Sequence, residues 1–204
     1  MSQTGVLLTQ SIQAGTLMGV DARHNIEKLN QFLAGVERRA LKMAEIAVGN
    51  RDDALDIVQD AMMKLAEKYS HRTHSEWSPL FQRILQSKIR DWYRRSAVRK
   101  RLFYWLDRNQ KNPDVQSDIF DTVADGNSVD PQRRAGIDEF TPALINALQG
   151  LPLRQQQAFL LRAWEGLDVK QTARAMSCSE GSVKTHYHRA TKTLQALLGQ
   201  YYGD

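Results

Sequence analysis

DVKQTARAMSCSEGSVKTHYHRA, residues 168–190, sets two short helical patterns against each other across a tight turn. Asp168 can cap the first helix, whose inner face is Val169, Ala173 and Met176. The small side chain of Ala173 lets the two helices cross closely. The turn Ser177-Cys178-Ser179 leads into a second helix, about Ser179 to Leu198, with Val183, Tyr187, Ala190, Leu194 and Leu197 pointing inward. That leaves Ser182, Lys184, Thr185, His188, Arg189 and Lys192 outside. Short polar residues and cations near a helix N-terminus suit a recognition helix in a major groove. The reading is a helix-turn-helix; a plain helical hairpin with a charged face is its alternative.

Upstream, Leu144, Leu148 and Leu151 give a short helix closed by Gly150-Leu151-Pro152. Arg154 to Trp164 gives another, with Phe159, Leu160, Ala163 and Trp164 as anchors, broken by Gly166. From about Asp107 to Pro131 periodicity vanishes, Asp is the commonest residue, and Asn112-Pro113, Asp125-Gly126 and Asp130-Pro131 are breaker pairs. This predicts a flexible acidic linker.

Before the linker, three helices are expected. Ile26 to Val48 carries one stripe: Leu29, Leu33, Val36, Ala40, Met43 and Ala47. Gly49-Asn50 ends it, and Asp52-Asp53 favour the N-terminus of the next. That helix, about Asp53 to Tyr69, buries Ala54, Ile57, Val58, Ala61, Leu65 and Tyr69. Its other face holds Asp53, Asp56, Asp60, Met63 and Glu67. Read from the residues alone, this acidic stripe is a solvated face. After a polar loop, Ser70–Trp77, Ser78-Pro79 reads as an N-cap with proline at the first helical position. The third helix buries Leu80, Phe81, Ile84, Leu85, Ile89 and Trp92. Its second half, Lys88 to Arg101, carries seven Lys/Arg against the lone acid Asp91. Cations there can neutralise phosphates, and the preceding loop, with Arg72, His71, His74 and Trp77, is the better place to hold unstacked bases.

Charge follows the same division. Residues 26–101 hold 16 Lys/Arg against 10 Asp/Glu, residues 102–140 hold 4 against 8, and residues 141–204 hold 7 against 4. Two polyanion-facing units joined by an acidic connector are one reading of this pattern. With 42% hydrophobic and 25% charged residues among 204, the chain has the composition of a soluble globular protein, and helix formers dominate. The fold class expected is all-α, two small helical domains. The boundaries expected are a flexible leader at 1–25, a first domain at 26–101, a linker at 102–136 and a second domain at 137–204. No apolar run reaches the ~20 residues of a membrane segment, and the opening lacks the basic region of a secretory signal. The single cysteine, Cys178, allows no internal disulfide. A cytoplasmic protein is the expectation.

Four stretches carry a family resemblance. GNRDDALDIVQDAMMKL (49–65) resembles the hallmark helix of sigma region 2 in the extracytoplasmic-function (ECF) sigma factors of bacterial RNA polymerase, and LFQRILQSKIRDWYRR (80–95) resembles the helix that follows it. LPLRQQQAFLLR (151–162) and CSEGSVKTHYHRA (178–190) resemble region 4. The four occur in the family's order and with its gap. The resemblance implies roles. Asp56, Gln59, Asp60 and Met63 would bind core RNA polymerase at the β′ clamp helices, which turns the acidic stripe from solvated face into interface. Arg72, His74, Trp77, Lys88, Arg90, Arg94 and Arg95 would melt and hold the −10 element. Ser182, Lys184, Thr185, His188 and Arg189 would read the −35 duplex. Further partners implied are the polymerase β flap, promoter DNA and an anti-sigma factor. The sequence departs from the family at Leu80, Ser87, Ser177 and His186; Ser177 stands where glycine is usual and would bear a left-handed conformation.

Three rivals remain. A conventional helix-turn-helix regulator would bind duplex DNA without polymerase, but the helices at 53–69 and 80–101 do not suit a sensory domain. An adaptor or anti-sigma protein would leave the basic helix-turn-helix without a purpose. An enzyme would need a site, and neither His71/His74 nor His186/His188 beside Cys178 supplies three or four converging ligands. No catalytic residue, metal or cofactor is expected.

Overall fold

A computed structural model of the protein describes residues 20–107 and 140–199, with side chains over 24–98 and 140–199. Residues 1–19, 108–139 and 200–204 lie outside the described residues, and with them most of the leader expected at 1–25 and of the linker expected at 102–136. Among the described residues all regular structure is helical, in chain order α1 (Val20–Val48), α2 (Arg51–Tyr69), α3 (His74–Asp107), α4 (Phe140–Gln149), α5 (Leu153–Phe159), a π-helical turn (Leu160–Trp164), α6 (Val169–Met176) and α7 (Glu180–Leu198).

The first three helices form one packed unit, each touching the other two. α1 starts at Val20, ahead of the apolar stripe, and buries Leu29, Leu33, Ala40, Met43 and Ala47 as expected. Gly49 ends it with a positive φ of 71°. Asn50 then caps α2, its side-chain oxygen accepting from the Asp52 and Asp53 amides at 2.8 and 3.0 Å. α2 buries Ala54, Ile57, Val58, Ala61, Met62 and Leu65.

α3 departs from the sequence reading at its start. It begins at His74, and Pro79 lies inside the helix, not at its first position. The cause is Glu76, whose carboxylate accepts from the Thr73 amide at 3.1 Å and the Thr73 hydroxyl at 2.9 Å. A glutamate reaching back three residues is half of a capping box. It outcompetes the Ser78-Pro79 signal and shortens the loop to residues 70–73. The helix also runs on to Asp107, into the stretch expected to begin the linker.

In the second unit α7 packs against α4, α5 and α6. The π turn explains one misreading. An i→i+5 turn holds one more residue than an α turn and shifts the helical phase of the residues after it. Leu160 and Leu161 therefore fill the core, while Ala163 and Trp164 are exposed. At the end of α7, Leu198 is buried and Leu197, expected inside, is 53% exposed.

The two units lie directly against each other. α3 packs along α6, α1 touches α4, and the buried apolar residues of both units form a single cluster. No helix of the described residues is long and apolar enough to cross a membrane.

Candidate nucleic-acid interface

The helix-turn-helix is built by its caps. The Asp168 side chain accepts from the Gln171 amide at 2.7 Å, and the Gln171 side chain accepts from the Asp168 amide at 2.9 Å, a closed capping box. α6 ends at Ser177, which adopts φ 54°, ψ 52°. The Cys178 amide then donates to the Ala173 carbonyl at 3.1 Å, the long bond of a Schellman turn. The left-handed serine that the family resemblance implied is thus present. Ser179 caps α7 by accepting from the Ser182 amide at 3.1 Å. Ala173, Met176, Val183, Ala190 and Leu194 are buried between the helices and the rest of the unit. Tyr187 is only partly buried, stacked on Phe159 at 6.1 Å with the Arg162 guanidinium 5.7 Å over its ring.

With α7 so oriented, Lys184, Thr185, His188 and Arg189 are exposed along one side and Ser182 is partly so. The Ser182 hydroxyl lies 2.9 Å from that of Ser179, and the Thr185 hydroxyl donates to the Gly181 carbonyl at 3.1 Å. Two cations, a histidine and two hydroxyls on one exposed strip can meet phosphates and base edges together.

The acidic face of α2 and the basic face of α3 border one groove of about 740 Å³. Asp53, Asp56 and Asp60 stand on one wall, Lys88, Arg94 and Arg95 on the other, and Ile57, Trp92 and Val98 contribute its apolar surface. Lys88 crosses it to Asp60 at 2.8 Å, and Arg94 pairs with Asp91 on its own helix. The structure thus joins one residue assigned to polymerase and one assigned to the −10 element. Asp56, Gln59, Asp60 and Met63 are all exposed, Met63 at 49%. For a large apolar side chain that exposure fits an adaptable protein contact.

The loop residues are not brought together as expected. Arg72 is exposed and paired with Glu76 at 3.3 Å. His74 is exposed but leans edge-on against Phe32 and Trp77. Trp77 is fully buried and donates its indole N–H to the Tyr69 carbonyl at 3.0 Å. It cannot hold an unstacked base; it supports the loop from beneath. The early start of α3 is the reason, since it sets Trp77 one turn before Phe81 on the inner face. Glu76, held by the Thr73 backbone and hydroxyl and by Arg72, has its carboxyl below the usual carboxylate pKa.

Arg90 is placed differently from its basic neighbours. Half-buried, it donates to the Met176 carbonyl at 3.2 Å, across to the other unit. Arg154 donates to the same carbonyl at 2.8 Å. Burial and then the adjacent Arg154 charge lower the Arg90 pKa. Burial likewise pushes the Cys178 thiol up. Arg154 and the buried Gln82, Gln86, Gln156 and Gln157 were given no functional role in the sequence reading. Only Gln156, four positions after Pro152 on an otherwise apolar face, carried any signal. Among the described residues no three His, Cys, Asp or Glu side chains converge as a metal site.

Known proteins resemble the chain over both units. A family model described as Sigma-70, region 4 matches residues 142–194. The RNA polymerase sigma-E factor of Streptomyces avermitilis is 26% identical over 178 residues, 87% of this chain and 88% of that protein. The ECF RNA polymerase sigma factor SigM of Mycobacterium tuberculosis is 27% identical over 83% of this chain and 76% of its own. The match to the ECF RNA polymerase sigma factor BldN of Streptomyces coelicolor, 25% identical, covers 74% of this chain but 53% of the relative. Among solved structures, the complex of the sigma factor RpoE with the anti-sigma factor NepR from Bartonella quintana aligns with a TM-score of 0.56 at 26% identity, over 83% of this chain and 95% of that one.

Proposed function

The chain belongs to the ECF sigma factors of RNA polymerase, and on that premise we propose that it carries core polymerase to its promoters by dividing the work between two helical units. The observation that carries the reading is the extent of the likeness: it runs through 87% of the chain, α1–α3 included. A conventional regulator sharing only the helix-turn-helix would be alike there alone.

The first unit, residues 26–101, offers the exposed Asp56, Gln59, Asp60 and Met63 of α2 to the clamp helices of the β′ subunit. The cationic side of α3, with Lys88, Arg90, Arg94 and Arg95, and the exposed Arg72 and His74 hold the opened −10 strand. The second unit, residues 137–204, lays α7 in the −35 major groove, where Lys184 and Arg189 take phosphates or guanine edges and Ser182, Thr185 and His188 the neighbouring contacts. It also meets the β flap. The acidic connector, 102–136, spans the two. Polymerase holds both units at the promoter spacing, so two modest affinities add through a high effective concentration. Catalysis belongs to the polymerase, the chain itself contributing binding and strand capture without metal or cofactor. It works in the cytoplasm, beside polymerase, and an anti-sigma partner of the kind bound to RpoE is its expected regulator.

Reconstitution tests the reading. Core polymerase with this protein on a pool of genomic promoter fragments should initiate at discrete sites that are silent without it. Tight duplex binding by the chain alone, with no initiation, would favour the conventional regulator. Within that assay Lys184→Ala and Arg189→Ala should weaken −35 binding by about 1–3 kcal/mol each while leaving polymerase pull-down intact. Equal loss of both would defeat the division of labour.

A further inference from the structure

Two residues of α7 are not explained by the packing of the helix-turn-helix. Gly181 lies in the first turn of α7 with ordinary helical backbone; among the described residues the left-handed glycines are Gly49 and Gly166. A Cβ at Gly181 would meet the Ser179 hydroxyl oxygen at 3.8 Å, an ordinary contact, and nothing nearer. Neither backbone conformation nor internal packing therefore demands glycine there. A glycine inside a helix also lowers its stability relative to alanine. What the missing side chain provides is room outside, a bare stretch of backbone that another molecule can approach closely.

Thr185 stands one turn further along the same face. It is exposed, and its hydroxyl donates to the Gly181 carbonyl at 3.1 Å. A threonine in a helix divides between two χ1 rotamers, and this bond selects one of them. Turning the hydroxyl back onto the helix leaves the γ-methyl as the group that Thr185 offers outward. β-Branching and the bond together hold χ1, so the methyl is in place before any partner arrives. The Ser182 hydroxyl, on the same strip, is likewise engaged, 2.9 Å from that of Ser179. The middle of the strip is thus bare and apolar, with Lys184, His188 and Arg189 exposed around it. Cations draw a duplex in without choosing a base. The apolar feature that a base edge shows in the major groove is the 5-methyl of thymine.

We propose that Thr185 reads a thymine of the −35 element through its γ-methyl and not its hydroxyl, and that the bare backbone at Gly181 lets α7 come close enough for the two methyl groups to touch. This rests on the sigma-factor reading and deepens it, matching one side chain to one kind of base. For Thr185 to donate to a base its bond to Gly181 would have to break. The edges that need a donor, such as guanine O6 and N7, therefore fall to Lys184 and Arg189.

The test removes the methyl from either partner. Core polymerase with the full chain is titrated on a fluorescent duplex carrying one promoter mapped by the reconstitution. Each thymine of the upstream element, on either strand, is replaced in turn by uracil, which pairs as thymine does and lacks only the 5-methyl. At one position the replacement should weaken binding about fourfold, the value of one buried methyl group. In Thr185→Ser that penalty should vanish. In Thr185→Val, which drops the hydroxyl and keeps a γ-methyl, it should persist. No uracil penalty at any position, a penalty that survives in Thr185→Ser, or one lost in Thr185→Val would overturn the proposal. Gly181→Ala should raise the urea midpoint of the free chain and abolish the same penalty, because the added methyl holds α7 away from the base. A more stable Gly181→Ala protein with the penalty intact would refute the close approach. Promoter-selective binding by the native chain with polymerase, but without any uracil effect, sinks this contact alone; no promoter-selective binding sinks the sigma-factor reading.

Discussion

Ser177 occupies the left-handed region at φ 54°, where an L side chain crowds its own carbonyl. Ser177→Gly should therefore stabilise the protein by about 0.5–1 kcal/mol in urea unfolding, the relief of strain exceeding the entropy that glycine adds to the unfolded chain. Glu76 gives a pH-dependent prediction. Its folded pKa lies below the ordinary value, chiefly because the Thr73 backbone amide donates to it. The carboxylate's support of the loop is thus complete above the ordinary carboxylate pKa and is lost as pH falls through the lower folded value. Hydrogen exchange at the Thr73 amide should be slow at neutral pH and quicken in acid beyond the intrinsic trend. In Glu76→Ala it should be fast throughout.

Among the elements, α3 serves two purposes on two faces. Its inner face, Trp77, Phe81, Leu85 and Ile89, is buried, and its outer face carries the cations. Trp77→Ala should cost about 3–5 kcal/mol of stability because it empties a fully buried site. Trp77→Phe, which keeps most of the volume and loses the bond to Tyr69, should cost nearer ~1 kcal/mol. A Trp77→Ala protein of native stability, impaired only in strand capture, would restore the base-holding role that burial denies it. For α7, each cation removed from Lys184 and Arg189 should lower the slope of log affinity against log salt by about 0.9 on duplex DNA. An unchanged slope would place that side chain away from phosphate.

In the whole molecule the face shared by the two units carries buried polar side chains. Gln86 is buried with its amide nitrogen on a sulfur and its oxygen unpaired among the described residues. Gln86→Met, close in shape, should raise the unfolding free energy of the free chain by about 1 kcal/mol. A destabilised Gln86→Met protein would mean that its amide is better satisfied than the geometry indicates. The caps, the stripes of α1 and α2 and the helix-turn-helix strip were legible in the sequence because each depends on neighbours within about four positions.

Sequence alone determined the helical class, the acidic face of α2, the cations of α3 and the outward strip of α7. All are local, because the period of a helix turns spacing into a face; the strained turn at Ser177 was expected only through the resemblance to a family in which glycine is usual there. The burial of Trp77, the phase shift at the π turn and the capture of Arg90 by Met176 were decided by the tertiary structure. Each follows from a competition that spacing does not resolve: Glu76 against Ser78-Pro79 for the start of α3, one extra residue in a turn, and a guanidinium choosing a carbonyl 86 positions away. Contacts of that range depend on how two finished faces fit, and a face is only complete once its helices have packed.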